Sequence, residues 1–396
     1  MFDDIRNQFA FYRNNKDIVY LDYAATTFMP DSVIAAWEKY NCLVGTSINR
    51  GNGVLADQAQ QVFEDSKTNV VKFFHANNYE MIIGKNATEC LNVIANIIGE
   101  RLLPGVIVLM GPYEHHSNLL PWELIAERKG ATLVQLPLLE NGEIDYSFIN
   151  KLEMDSIRII AFSLVSNINS YSFDIDIFKK ILKKTKAYSI LDVSQAAGHK
   201  TLDFDNIGAD VYVAPAHKMY GPKSVGAAFV KKELIEKLPP FLVGGGMVWN
   251  SMGGSMQWQV AAKKYEAGTM DVSNMVAWSA ACNFLSDIGM GNVEKKDREL
   301  AEQMLSYLDN EERIKVIPYK GKNLSMISFS VVDIHSHDIS DVMKDNKIEL
   351  RVGHLCAQNT LSMFSEESVC RVSWGLGTNE DDLNVFYKTL RECIYG

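Results

Sequence analysis

"DVYVAPAHKMYGPKSVGAAFV", residues 210–230, runs from an apolar stretch through a histidine and one lysine into a Gly-Pro turn. Val211 and Val213 on one alternation and Tyr212 and Ala214 on the other are all apolar, the pattern of a strand covered on both faces. Lys218 follows that strand among small residues: Ala214, Pro215, Ala216, Gly221, Gly226 and Ala227. It belongs neither to a solvated surface nor to a charged helix face. A strand-end lysine usually reaches solvent, so its meaning depends on what ends the neighbouring strands.

The same texture recurs upstream. "EMIIGKNATECLNVIANIIGE" (80–100) reads as strand, polar turn and helix, with Leu91, Ile94, Ala95 and Ile98 on one helical face. "GVIVLMGP" (105–112), "IRIIAFSLVSN" (157–167) and "YSILDVSQ" (188–195) are apolar on both alternations, and "DIFKKILKKTKAY" (176–188) is a helix between two of them. Together they predict an α/β fold with a mostly parallel central sheet. After about residue 285 the texture changes. A charged helix (292–312), the short strands "SMISFSVV" (325–332) and "IELRVG" (348–353), and a last helix (379–396) predict a smaller α+β unit. The expected division is a large unit over 16–285, with 1–15 and 286–396 forming the small one.

A chain of 396 residues suits about two domains. Apolar residues at 47% and charged residues at 22% fit a globular protein and not a disordered one. A net charge of −10 argues against nucleic acid as a general partner, because phosphate binding needs clustered Lys and Arg. No apolar run approaches the roughly 20 residues that span a bilayer. "MFDDIRNQFAFYRNNKD" has no apolar core, so no leader is expected. Cys42, Cys90, Cys282, Cys356, Cys370 and Cys393 are scattered without a C-x-x-C pair, which suggests neither zinc nor a disulfide framework. A reducing, cytoplasmic location is expected.

In open α/β sheets ligands sit beyond the carboxyl ends of the strands. Polar residues stand at such ends: Asn86 to Thr88, Glu114 to His116, Asn167, Asp192 to Gln195, and His217 with Lys218. Each has a plain structural explanation alone; Asn86 reads as a helix N-cap and Asp192 as a turn residue. Asp and Lys ending neighbouring strands carry more. A partly desolvated lysine favours its neutral amine and condenses with aldehydes. An aspartate across a pyridine ring keeps the ring nitrogen protonated and makes it an electron sink. The N–H groups opening the Thr88 helix suit a phosphate. Aldehyde, pyridine and phosphate describe pyridoxal 5′-phosphate (PLP).

Fragments along the whole chain carry a resemblance: "YLDYAATT", "NATECLN", "YEHHSNLLPWE", "SLVSN", "LDVSQA", "HKMYGP", "GGGM", "YEAGT", "RVGHLCAQ" and "CRVSWGLGTNEDD". The chain resembles the fold-type I, class V PLP enzymes, most closely the Suf-type cysteine desulfurases and selenocysteine lyases. The resemblance implies that Lys218 holds PLP and moves protons, that Asp192 pairs with the ring nitrogen and that Gln195 bonds the ring hydroxyl. It further implies that His115 stacks on the ring and assists proton transfer, that Asn167 touches ring or substrate, and that Ala87, Thr88 and His217 lie at the phosphate. Thr269 of "YEAGT" is expected to reach the phosphate of a neighbouring subunit, which implies a homodimer. Arg371 is expected to clamp the substrate carboxylate, a task suited to guanidinium, with Arg351 and Asn49 shaping that side.

Cys356 carries the distinctive implication. In this family a small-domain cysteine attacks the substrate sulfur and becomes a persulfide while alanine leaves, and a protein or small thiol then accepts the sulfur. Gly353 allows the loop, and Arg351 and His354 favour thiolate. Most free cysteines are buried structural residues, and the other five are read that way. The match departs near the cofactor: Asn49, Ala87, Pro215 and Leu355 replace His, Thr, Ser and His, and Val193-Ser194 replaces Gly-Ala. Lys85 beside the phosphate turn is expected to compensate in part. The expected reaction is removal of sulfur from L-cysteine. Another class V reaction (aminotransferase, epimerase or C–S lyase) and a catalytically silent PLP-fold partner protein remain open from the residues alone. No metal site is expected: His335 and His337 share a strand face or a surface turn, but no ligand set completes them. "GGGMVWNSMGGSMQW" (244–258) is expected to be a substrate-side or interface loop.

Overall fold

The strands read above form one sheet of seven: β1 (Tyr79–Gly84), β2 (Ile107–Met110), β3 (Thr132–Gln135), β4 (Ile157–Ser163), β5 (Tyr188–Asp192), β6 (Val211–Pro215) and β7 (Gly226–Lys231). The computed structural model describes residues 2–49, 51–250, 256–320 and 324–396. The strand order is β1-β7-β6-β5-β4-β2-β3. β2 to β6 pair in parallel, and β7 alone runs against its neighbours, antiparallel to both β1 and β6.

Double-sided burial explains the apolar runs. Val211, Val213, Ile159 and Ala161 join a core with Leu91, Ile94 and Ile98 of helix α3 (Ala87–Gly99) and Trp122 and Ile125 of α4 (His116–Lys129). Tyr212, Ala214, Ile160 and Phe162 face the opposite core, with Phe178 of α5 (Ile175–Lys184) and Trp278 of α6 (Val272–Ile288). Adjacent strand residues thus enter different cores, each large side chain contributing about 1.5–3 kcal/mol. Helix α6 packs on α1 (Asp31–Leu43) and α2 (Val54–Phe73), closing that face.

A second sheet of four antiparallel strands, β8 (Ile314–Val316), β9 (Met326–Val331), β10 (Arg351–Gly353) and β11 (Val369–Ser373), has the order β8-β9-β11-β10. Helices α7 (Met290–Leu308), α8 (Ser336–Asp345) and α9 (Glu380–Tyr395) cover it, and α9 starts in a capping box between Asn379 and Asp382. The single predicted strand at 348–353 is divided. Ile348–Glu349 pairs in parallel with Val19–Tyr20, while β10 pairs with β11.

The cores do not follow the expected division at residue 15. Ile5, Phe9 and Tyr12 are buried in the large core, whereas Val19 and Leu21 belong to the small one. The N-terminal segment therefore crosses between the two units twice. Among the described residues no helix is long and apolar enough to cross a membrane.

Candidate active site

The carboxyl ends of β4, β5 and β6 open onto one cavity of about 310 Å³. Lys218 reaches it from a short 3-10 turn, Ala216–Lys218, directly after β6. Two glycines make that placement sterically possible. A Cβ on Gly198 would lie 2.6 Å from the Lys218 carbonyl oxygen, and one on Gly226 would lie 3.1 Å from the Asn86 carbonyl carbon. The lysine turn and the Asn86 turn can therefore close on the same space. Burial pulls the Lys218 amine down to about 8, with the nearby Asp192 carboxylate opposing and the Arg371 cation assisting.

That shift has two checkable consequences. Only a neutral amine attacks an aldehyde, so capture of PLP by the apo-protein is expected to speed up as pH rises through about 8 and then level off. Stopped-flow absorbance reads it; a rate flat across that range would contradict it. Between about 8 and the usual 10.5 the unfolded chain holds a proton here that the folded chain does not, so this group's contribution to stability grows with pH over that window.

Asp192 ends β5 and is 6% exposed. Ser194 donates to its Oδ1 through the backbone N–H (2.9 Å) and the hydroxyl (2.5 Å). Among the described residues nothing donates to Oδ2. Burial pushes this carboxyl up, and the Ser194 donors and the Lys218 cation oppose it. A protonated ring nitrogen is the partner such a carboxylate lacks. Ser194, a departure from the family pattern, is thus the residue that orients Asp192. Gln195 donates from Nε2 to the Ala24 carbonyl at 3.0 Å, placing "YLDYAATT" against the cavity.

Helix α3 begins at the cavity with Asn86 as N-cap, its side chain accepting from Glu89 N–H at 2.9 Å. The N–H groups of Ala87 and Thr88 have no acceptor among the described residues, and the Thr88 hydroxyl bonds Ser117 at 2.7 Å. Two free amides at the start of a 13-residue helix suit a phosphate. Lys85 does not compensate there: it is 79% exposed and faces Glu89. Pro215 and His217 line the same end; His217 is held by Thr26 at 3.3 Å, and burial, then Lys218 and Lys223, lower it to about 4.

His115 caps α4, its Nδ1 accepting from Ser117 N–H at 3.0 Å, which leaves the ring proton on Nε2. Burial first, then the charges of Lys218, His116 and Arg371, lowers it to about 3, so the ring is neutral at physiological pH.

The substrate side is built from three distant segments. Arg351 and Arg371 stand directly opposite each other on β10 and β11, an unfavourable like-charge pair. Asp22 relieves it: its Oδ2 accepts from Arg351 Nε (3.1 Å) and Nη2 (2.6 Å), its Oδ1 from Arg371 Nη2 at 3.1 Å. Arg371 Nη1 donates to the Asn167 carbonyl at 2.9 Å. Its Nε and the Asn167 Oδ1 are buried without partners. An orphaned donor and an orphaned acceptor in the cavity wall fit a ligand that carries both a carboxylate and a donor.

Cys356 is exposed and lines the cavity from the loop after β10. Leu355 and Cys356 both have left-handed φ values, 54° and 53°, which side-chain-bearing residues adopt only when held. They are held from the large unit: Asn167 Nδ2 donates to the Leu355 carbonyl and His116 N–H to the Cys356 carbonyl, both at 2.8 Å. The Leu355 side chain packs with Ile168, Ile317, Ala357, Leu361 and Val369, which accounts for an apolar residue at that position. His354 is exposed, its ring 6.3 Å from that of His116.

The structure thus gathers Ala87, Thr88, His115, Asn167, Asp192, Gln195, His217, Lys218, Arg351, Cys356 and Arg371 around one cavity. Asn49 and Thr269 are not among its walls. Asn49 is exposed at φ 77°, its N–H held by Gln60, so it does not shape the substrate side of its own chain. Thr269 is also exposed. Residues 251–255 of the Met-rich stretch lie outside the described residues. Asp22, Ser117 and Ser163 contribute to the site without having been singled out; all three sit inside quoted fragments, but Arg351, Thr88 and Glu114, which they meet, are 329, 29 and 49 residues away. Among the described residues no three His, Cys, Asp or Glu side chains are placed to hold a metal. His335 instead caps α8, its ring stacked on that of His337 at 5.3 Å.

Known proteins place this architecture. The family model described as aminotransferase class-V matches residues 19–386. A probable cysteine desulfurase of Streptomyces coelicolor is 34% identical over 367 residues, covering 91% of this chain and 88% of that protein. One from Halalkalibacterium halodurans is 31% identical, covering 96% and 94%. Among solved structures, the cysteine desulfurase CsdA of Escherichia coli superposes with a TM-score of 0.91 at 26% identity, and the apo cysteine desulfurase of Thermococcus onnurineus with 0.94 at 26%, each pair covering 99% of this chain and 98% of the other. A fold, a cavity and a sequence that agree along this length make the chain a member of the class-V aminotransferase family.

Proposed function

We propose that the protein is a PLP-dependent cysteine desulfurase that converts L-cysteine to L-alanine and leaves the sulfur on Cys356 as a persulfide. The observation that carries this reading is one cavity walled by Lys218, Asp192, Arg371 and Cys356, the last on a strained loop clamped from the opposite unit. The large unit, which extends to about residue 285 and includes Ile5, Phe9 and Tyr12 but not Val19 and Leu21, supplies the cofactor side, and the small unit, with 286–396, the sulfur-accepting side.

PLP bound here supplies an electron sink that labilises bonds at the α-carbon and β-carbon of an amino acid. The Lys218 amine would hold that group and, once freed by the substrate, would carry the substrate's α-proton. Asp192 would keep a proton on the ring nitrogen, Gln195 would bond the ring hydroxyl, and neutral His115 would stand at the ring with a proton available at Nε2. The amides of Ala87 and Thr88, the Thr88 hydroxyl and His217 would hold the phosphate. Arg371 clamps the substrate carboxylate through its unpartnered Nε, and Asn167 Oδ1 accepts from the same ligand. The Cys356 thiolate forms a bond to the substrate sulfur as the Cβ–S bond breaks. The electron pair of that bond stays with carbon, which takes up a proton and leaves as alanine.

Exposure of Cys356 supports onward transfer to an acceptor thiol. Thr269, with the exposed Val243 and Trp249 nearby in sequence (67% and 69% exposed), supports a homodimer in which Thr269 completes the neighbour's phosphate site. The reading is of a cytoplasmic enzyme. It is tested by measuring alanine and sulfide from L-cysteine with wild type and Cys356→Ala side by side; turnover surviving in the variant removes the persulfide route. Arg371→Ala is expected to raise KM for L-cysteine by about 30- to 100-fold, the loss of a charged hydrogen-bonded pair of roughly 2–3 kcal/mol. An unchanged KM would place the carboxylate elsewhere.

A further inference from the structure

Beneath the cavity lies a carboxyl that the reaction does not use. Glu114 is 2% exposed. Its Oε1 accepts from the Ser163 backbone N–H at 2.8 Å, and its Oε2 from the Ser163 hydroxyl at 2.7 Å and Asn118 Nδ2 at 2.6 Å. Space for it comes from Gly111, where a Cβ would fall 2.4 Å from Oε1.

Its connections lead to both sides of the proposed ring site. Ser163 lines the cavity and stands in register with Asp192 on the next strand. The residue after Glu114 is His115. Three donors converge on the two oxygens, the arrangement of an ionised carboxylate. Asn118 is fully buried, and its Oδ1 has no partner. That orphan atom suits a second state: with the amide turned over, Oδ1 accepts a hydrogen bond from the O–H of a neutral Glu114, and the Ser163 hydroxyl is released toward the cavity.

We propose that Glu114 is a positioning residue for the cofactor, holding Ser163 and His115 beside the pyridine ring, and that taking up a proton changes this hold by reversing the Asn118 and Ser163 hydrogen bonds. The inference rests on the reading of the cavity as a PLP site. The groups facing Glu114 are Ser163 from β4, Asn118 from α4 and Asp192 at the end of β5; Gly111 after β2 brings no side chain. Burial pushes the carboxyl up to about 7, against the Ser163 and Asn118 donors, and the Asp192 carboxylate adds to the rise. Both states are therefore populated near neutral pH.

The test uses PLP-loaded protein and the absorbance and circular dichroism of its visible band from about pH 6 to about 8. Wild type is expected to show a spectral step near 7. Glu114→Gln is expected to retain PLP and lose the step, because an amide cannot titrate. Ser163→Ala, which removes one donor to the ionised form, is expected to move the midpoint up by about one pH unit. A Glu114→Gln protein that titrates like wild type, or that only melts earlier with its spectrum unchanged, overturns the proposal. If Glu114→Gln fails to fold, an unmoved midpoint in Ser163→Ala overturns it. A colourless wild type would overturn the PLP reading as well, whereas a coloured wild type with indifferent variants sinks only the role of Glu114.

Discussion

Lys218→Ala is expected to yield a folded, colourless protein with turnover reduced roughly a thousandfold or more. The fold should tolerate the change because the Lys218 amine makes no hydrogen bond among the described residues, and the removed side chain borders a cavity rather than a packed core. What disappears is the only amine among the described residues of the cavity wall, poised by burial to be partly neutral. Borohydride reduction followed by peptide mass mapping gives the direct measurement. Wild type should carry one pyridoxyl group on the peptide containing Lys218, and the variant none. A reduced pyridoxyl adduct on another lysine would show that the cofactor is anchored elsewhere.

Cys356→Ala is expected to keep the visible band and lose alanine formation from L-cysteine by at least about a hundredfold. The two variants divide the site physically. Lys218 belongs to the turn after β6, and Cys356 to a loop whose backbone is held by Asn167 and His116 but whose side chain holds up nothing. Truncating it removes the proposed sulfur acceptor and leaves Asp192, Gln195 and His115, the residues proposed to meet the ring, as they were. Wild type mixed briefly with L-cysteine and then alkylated should carry one extra sulfur on the Cys356 peptide. Extra sulfur on Cys42 or Cys393 instead would move the acceptor role to another thiol.

Much of the site was legible because the chemistry hangs on strand ends. Asp192 and Lys218 each close an apolar run, and in a parallel sheet the carboxyl ends of neighbouring strands meet at one edge. The N-cap at Asn86 was legible from local hydrogen-bonding chemistry alone. The Asp22 clamp was not, because its partners Arg351 and Arg371 lie 329 and 349 residues away. Nor was the division of "IELRVG", since one alternation of apolar residues serves either sheet and only the position of Val19–Tyr20 decides which half pairs where. Lys85 misled for a related reason: proximity to the phosphate turn in sequence says nothing about direction, and Glu89 one helical turn on draws it outward.

By itself the sequence determined the α/β alternation, the two-faced burial of the strands and the order of polar residues along one sheet edge. These follow from periodicity and from the short-range needs of caps and turns. Tertiary structure decided which buried charge meets which distant donor: Asp22 sits between two arginines, and Glu114 lies under Ser163. Desolvation and hydrogen bonding act over a few ångströms, and in this fold those few ångströms are filled by segments 49 to 349 residues apart.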